Sequence, residues 1–96
     1  MMEKTPKYRS QLRIYADILR VVERERGNAR PTHILYGANL SHDRLVKYLT
    51  QLRERGLIEE TGVADRTAYS LTDKGIEFLK EFRKVSEFAE AFGFVI

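Results

Sequence analysis

Residues 41–79, SHDRLVKYLTQLRERGLIEETGVADRTAYSLTDKGIEFL, hold the densest run of local structural signals in the chain. Ser41 can cap a helix, because its hydroxyl accepts from a free N–H in the first turn. Asp43 falls where the positive end of a helix favours an acid. Leu45, Tyr48, Leu49 and Leu52 recur at three- and four-residue steps, which makes one apolar helical face. Arg53-Glu54-Arg55 ends the helix in charge, and Gly56 is a natural stop because it tolerates a left-handed backbone. Leu57-Ile58 reads as a short buried strand. The polar stretch from Glu59 to Arg66 contains Gly62 and can turn the chain back. Thr67, Tyr69 and Leu71 alternate with small or polar residues, as a returning strand does. Thr72-Asp73 then opens another helix, with Ile76, Phe78 and Leu79 as its first apolar residues.

Helix, glycine stop, two-stranded hairpin and helix, in that order, resemble the second half of a winged helix-turn-helix domain. The residues that carry the likeness are Leu49, Leu52, Gly56-Leu57-Ile58, Tyr69-Ser70-Leu71-Thr72, Lys74-Gly75 and Phe78-Leu79. The sequence most resembles small archaeal winged-helix DNA-binding proteins, a group of transcriptional regulators and chromatin-type proteins. The likeness spans roughly residues 8–90. It implies a mainly α fold with a small β-hairpin: a three-helix core, a two-stranded wing and a C-terminal helix. The divisions expected are a basic arm at 1–7, the winged domain at 8–72, and a dimerisation helix and tail at 73–96.

Ninety-six residues suffice for one domain with a modest core. The chain has no cysteine, which excludes disulfides and thiolate metal sites. No apolar run approaches the roughly 20 residues that span a bilayer. The start, MMEKTPKYRS, lacks the apolar centre of a signal peptide. These features predict a cytoplasmic protein, and the resemblance to DNA-binding proteins implies one associated with the nucleoid. His33 and His42 lie on separate expected helices and do not suggest a metal site. The six glycines are scattered rather than gathered into a phosphate-binding loop. No histidine–nucleophile pairing stands out, so neither an enzyme nor a bound cofactor is expected.

The net charge of +3 is unevenly placed. Residues 1–30 hold eight basic and four acidic side chains, whereas residues 31–71 balance five against five. Lys4, Lys7 and Arg9 of the arm are candidates for a phosphate backbone, and a plain basic tail looks the same. Tyr8 to Arg26 reads as a first helix, with Leu12, Ile14, Tyr15, Ile18, Leu19, Val21 and Val22 on its apolar arc. Arg9, Arg13, Arg20 and Arg24 lie opposite with Asp17. Their stripe suits either phosphate contact or pairing with neighbouring acids. Gly27-Asn28 ends the helix and Ala29-Arg30-Pro31 is an extended link. Thr32 is the expected cap of a short helix reaching Tyr36 or Ala38, with Ile34 and Leu35 inward. Gly37 to Asn39 is the turn, and Leu40 plugs the core ahead of Ser41.

A short helix, a turn and the helix at 41–55 make the arrangement that reads DNA. With Leu45, Leu49 and Leu52 inward, the outer face is Asp43, Lys47, Gln51 and Glu54, flanked by Arg44 and Thr50. Arginine and lysine suit guanine edges or phosphates, glutamine suits adenine, and aspartate accepts from cytosine. The candidate double-stranded-DNA contacts are therefore Ser41, His42, Asp43, Arg44, Lys47 and Gln51, with Arg30 in the link and Arg66 in the wing. Glu59, Glu60 and Asp65 surround Arg66, so a strong wing contact is not expected.

In the last helix Phe78, Phe82, Val85, Ala89 and Phe92 alternate four- and three-residue steps, the spacing of a coiled-coil seam. They are the expected homodimer interface, the alternative being that the whole helix folds over its own domain. Ile76 faces away, toward the wing, and Gly93-Phe94-Val95-Ile96 forms an apolar end that docks. Lys80, Arg83 and Lys84 precede Glu87 and Glu90, which favours an antiparallel pair over a parallel one. Two functions follow as expectations: a homodimer that binds duplex DNA as regulator or architectural factor, or a winged-helix module that binds a protein partner instead.

Overall fold

A computed structural model describes residues 9–62 and 65–96. The arm at 1–7, with Lys4 and Lys7, lies outside the described residues. The elements run α1 (Gln11–Arg24), α2 (Pro31–Gly37), α3 (His42–Glu54), β1 (Ile58–Glu60), β2 (Tyr69–Leu71) and α4 (Asp73–Ala91). The expected fold class is the one observed.

α1 begins at Gln11 rather than Tyr8, because the Ser10 hydroxyl accepts from the Arg13 N–H at 3.1 Å and caps the helix there. It ends before Arg26 and Gly27, which take φ of 51° and 85° in succession. The link then does what local sequence did not disclose. Ala29 donates to the Tyr69 carbonyl at 3.2 Å and accepts from the Tyr69 N–H at 2.8 Å. It thereby adds a one-residue third rung beside β2. α2 starts at Pro31, not after a Thr32 cap; proline's fixed φ and missing N–H suit the first helical position.

Of the two residues of the expected turn that tolerate a left-handed backbone, Gly37 and Asn39, Asn39 adopts it, with φ of 56°. Gly37 instead lets two helices approach: a methyl there would sit 2.7 Å from Val21 Cγ2. α3 is capped by Ser41, whose hydroxyl accepts from Arg44 N at 3.3 Å. At its other end Gly56 has φ of 74°. Gly56 N–H then donates to Arg53 O at 3.0 Å and Leu57 N–H to Leu52 O at 2.9 Å. This pair of bonds, with Leu52 and Leu57 both buried, is a Schellman ending. β1 and β2 pair antiparallel, Ile58 opposite Leu71 and Glu60 opposite Tyr69.

One apolar cluster holds these pieces together, with Ile14, Ile18, Leu19 and Val22 of α1 at its centre. Ile34, Leu52 and Leu79 reach it from α2, α3 and α4. The boundary expected at residue 72 is therefore not a break in packing, since Leu79 and Phe82 of α4 belong to that cluster. The seam expected on α4 is corrected by one residue. The inward stripe is Gly75, Leu79, Phe82, Ser86 and Ala89. Phe82 and Ala89 are buried within the chain itself, so neither can sit at the centre of a dimer seam. Phe78 is partly buried, whereas Val85 and Phe92 are exposed, and Phe88 joins them. Leu12, expected inward, is half exposed and lies against this outer stripe, while Ile76 is half exposed rather than packed on the wing. The tail docks only through Ile96; Phe94 and Val95 remain exposed.

The arginine stripe of α1 also has a structural answer. Arg9, Arg13 and Arg20 all reach the Asp17 carboxylate, at 2.8, 3.1 and 2.8 Å. Arg9 further donates to the carbonyls of Ala38 and Asn39 at 2.8 and 2.9 Å. It ties the start of α1 to the turn between α2 and α3. Pairing with a neighbouring acid is thus the role the structure gives these three guanidiniums.

Two substitutions test this packing. Alanine normally stabilises a helix over glycine by about 0.5–1 kcal/mol. At Gly75 a methyl would collide with the Leu57 carbonyl oxygen. Gly75→Ala is therefore expected to destabilise, by about 1–3 kcal/mol in chemical denaturation, as overpacking does. A stabilised Gly75→Ala would show that α4 starts farther from β1. Asp17→Ala should cost about 1–3 kcal/mol, through charged hydrogen bonds lost to three arginines. The low end is expected because those arginines are part-exposed and screened. A loss under about 0.5 kcal/mol would reduce the cluster to an ordinary surface feature.

Candidate nucleic-acid interface

α3 buries Leu45, Tyr48, Leu49 and Leu52, so its other residues form two flanks and a crest. One flank faces α1. There the Tyr15 hydroxyl donates to Gln51 Oε1 at 2.7 Å, and Gln11 Nε2 donates to the same oxygen at 3.2 Å. Gln51 is half-buried and occupied, which corrects its assignment as an adenine reader. Arg55 lies on this flank too, 5.5 Å from the Tyr15 ring. The other flank carries His42, Val46, Thr50 and Arg53, and faces the start of α2 and the wing. With Thr32 and Tyr36 on one wall and Glu60 and Thr67 on the other, these residues line an open concavity of about 640 Å³.

Asp43, Lys47 and Glu54 are exposed on α3 between the two flanks, as expected. Lys47 Nζ stands 5.4 Å from the Tyr48 ring and the Arg44 guanidinium 6.0 Å from it. Such contacts steady a cation without neutralising it. Among the described residues neither Lys47 nor Arg44 makes an ion pair. Arg53 reaches Glu60 at 4.0 Å, bridging α3 to β1. Beneath that pair, burial and then the Glu60 charge push the Tyr69 phenol above its ordinary pKa, with Arg53 opposing.

The eight residues named from sequence thus divide. His42, Asp43, Arg44 and Lys47 stay exposed, on or beside the outer side of α3. Ser41 spends its hydroxyl as the cap. Arg30 is half-buried at the start of α2, where its N–H donates to His33 Nδ1 at 3.4 Å. Arg66 sits apart at the wing tip, beside Asp65 and Glu60. Sequence reasoning missed Val46, Arg53 and Tyr36 as surface residues of this side. The signal was present in the four-residue steps from His42 to Val46 to Thr50, which run parallel to the buried row. Among the described residues no group of three or more His, Cys, Asp or Glu is placed to hold a metal. No helix among them is long and apolar enough to cross a membrane.

A winged helix-turn-helix family profile matches residues 8–90. Among curated proteins none is similar in sequence. Among solved structures the chain is similar to Sso10a-2, a DNA-binding protein from Sulfolobus solfataricus, with a TM-score of 0.78 and 28% identity. That match covers 88% of this chain and 85% of Sso10a-2. MepR, a transcription regulator of the Staphylococcus aureus multidrug efflux pump MepA, aligns with a TM-score of 0.69 at 17% identity, over 86% of this chain. The MarR family transcriptional regulator SPO1453 from Silicibacter pomeroyi aligns with a TM-score of 0.65 at 16% identity, over 84% of this chain. The chain spans only 62% of MepR and 57% of SPO1453, and at these identities the likeness is one of fold. The capped α3, its glycine ending, the hairpin and the profile match agree: the chain belongs to the winged helix-turn-helix family.

Proposed function

We propose that the chain binds double-stranded DNA as a homodimer, in a regulatory or architectural role beside the chromosome in the cytoplasm. The observation that carries this is the outer side of α3. Its free cations Lys47 and Arg44 stand beside a flank framed by α2 and the wing. An α-helix fits the B-form major groove, and a frame on either side can rest on the phosphate strands. The likeness to Sso10a-2 supports the same reading. Lys47 and Arg44 serve phosphates or guanine edges, Asp43 accepts from cytosine, and Arg66 makes a light wing contact. Arg30 supports the start of α2.

The dimer face in this reading is the outer stripe of α4, Phe78, Val85, Phe88 and Phe92, continued by Leu12 of α1. Phe88 and Phe92 already pack against each other in a tilted arrangement, with ring centroids 5.1 Å apart. An apolar strip this continuous is more than scattered exposed residues require. An antiparallel pairing places the basic segment around Lys80 and Lys84 beside Glu87 and Glu90 of the second copy.

Two measurements test the reading. Gel-shift titration of random duplex at two salt concentrations should show binding that weakens as salt rises. Lys47→Glu should weaken it further and flatten the salt slope by about one unit, with the fold intact by circular dichroism. Unchanged affinity in the folded variant would remove α3 from the interface, and absence of any shift would favour a protein-binding module. In sedimentation equilibrium the wild type should run at twice the protomer mass and Phe88→Asp at the protomer mass. A wild type that stays monomeric at high micromolar concentration would end the dimer reading.

A further inference from the structure

We infer that the flank of α3 bearing Val46 and Thr50 reads the C5-methyl groups of thymine in the major groove, which makes the protein select A·T-bearing steps by apolar contact. The inference rests on the DNA-binding reading above and adds what the helix would discriminate. Val46 is 50% exposed and Tyr36, across the concavity on α2, is 76% exposed. The Thr50 hydroxyl donates to the Val46 carbonyl at 2.9 Å, so its proton is spent within the helix and unavailable to a base. Gln51, the residue best suited to pair with adenine, is held by Tyr15 and Gln11. The flank that faces the frame is therefore apolar at its centre, and its polar reader is turned away.

Among the base edges of the major groove, the thymine methyl is the apolar group that unmodified bases present. The charges around the strip fit the same occupant. Lys47, unpaired among the described residues, lies next to it on α3, where a cation can meet a phosphate beside the groove, while Arg53 at the far end is paired with Glu60 at 4.0 Å. A protein partner would also cover apolar surface, but it would not require a methyl at one base position. That difference makes the inference testable apart from the reading beneath it.

The experiment uses the full chain and four alternating duplexes of equal length: dA·dT, dA·dU, dG·dC and dG·d(5-methylcytosine). Deoxyuridine removes only the methyl, and 5-methylcytosine restores it on the other base pair. Burying one methyl should strengthen binding about fourfold. The wild type should therefore prefer dT over dU, and 5-methylcytosine over cytosine, by about fourfold or more at one salt concentration. In Val46→Ala, a surface change, both ratios should fall toward one, whatever happens to overall affinity. Equal wild-type affinity within each pair overturns the inference and leaves DNA binding standing. A preference that persists undiminished in Val46→Ala also overturns it, because the methyl would then act through duplex shape. Failure to bind any of the four overturns the DNA-binding reading itself.

Discussion

The backbone of Leu57 is the point at which the helices and the hairpin are held to one another. Its N–H closes the end of α3 on Leu52 O at 2.9 Å, and its carbonyl accepts from Thr72 N–H at 3.2 Å. The same carbonyl oxygen lies against Gly75, the one side-chain-free position in the first turn of α4. Thr72 adds two bonds of its own. Its hydroxyl donates to Gly56 O at 2.6 Å and accepts from Gly75 N–H at 3.0 Å. A hairpin of three residue pairs is marginal by itself in water. Here its open end is fixed by the termini of two helices, and Ala29 adds a rung beside β2. The wing can therefore stay short without drifting relative to α3.

A second constraint governs where charge remains for a partner. Three arginines of the basic N-terminal third converge on Asp17, and one of them, Arg9, also holds the turn that aims α3. Charge that looked free along the sequence is thus used to orient the helix-turn-helix. Among the described residues, what is left on the outer side of α3 is two unpaired cations, Lys47 and Arg44, with two acids, Asp43 and Glu54. A surface with so few free cations gives modest counterion release and a shallow salt slope. Under the proposed function, phosphate contacts carry no sequence information, so discrimination falls to contacts such as the apolar flank.

Local chemistry made α3, its cap at Ser41, its stop at Gly56 and the cap at Thr72 legible in sequence. Each depends on residues within one turn of the feature. What escaped depends on contacts across long separations. Gln51 is claimed by Tyr15, 36 positions away, and no pattern within α3 records that. The face of α4 failed for a different reason. The rows 78, 82, 85, 89, 92 and 75, 79, 82, 86, 89 share Phe82 and Ala89, so periodicity fits both. Hydrophobicity favoured the row richer in phenylalanine. Yet the inward row needs small residues, Gly75 against Leu57 and Ser86 and Ala89 farther along. Close approach selects size over greasiness. Gly37 repeats the lesson, since its lack of a side chain serves contact with Val21 rather than turn geometry.

The division of α4 into an inward and an outward row has a consequence for any assembly built on it. The inner row anchors the helix to α1 and, through Gly75 and Leu57, to the end of α3. The outer row, Phe78, Val85, Phe88 and Phe92, faces outward and is the dimer face proposed above. If two copies pair along that outer row, no flexible segment separates the pairing surface from the recognition helix. The distance between the two α3 helices is then set by the rigid path through α4, Thr72 and Leu57. A rigid path can match two half-sites one helical turn apart, or it can mismatch them, but it cannot adapt by bending a linker. A substitution that loosens the Leu57 junction should therefore reduce discrimination between half-site spacings before it reduces affinity for a single half-site.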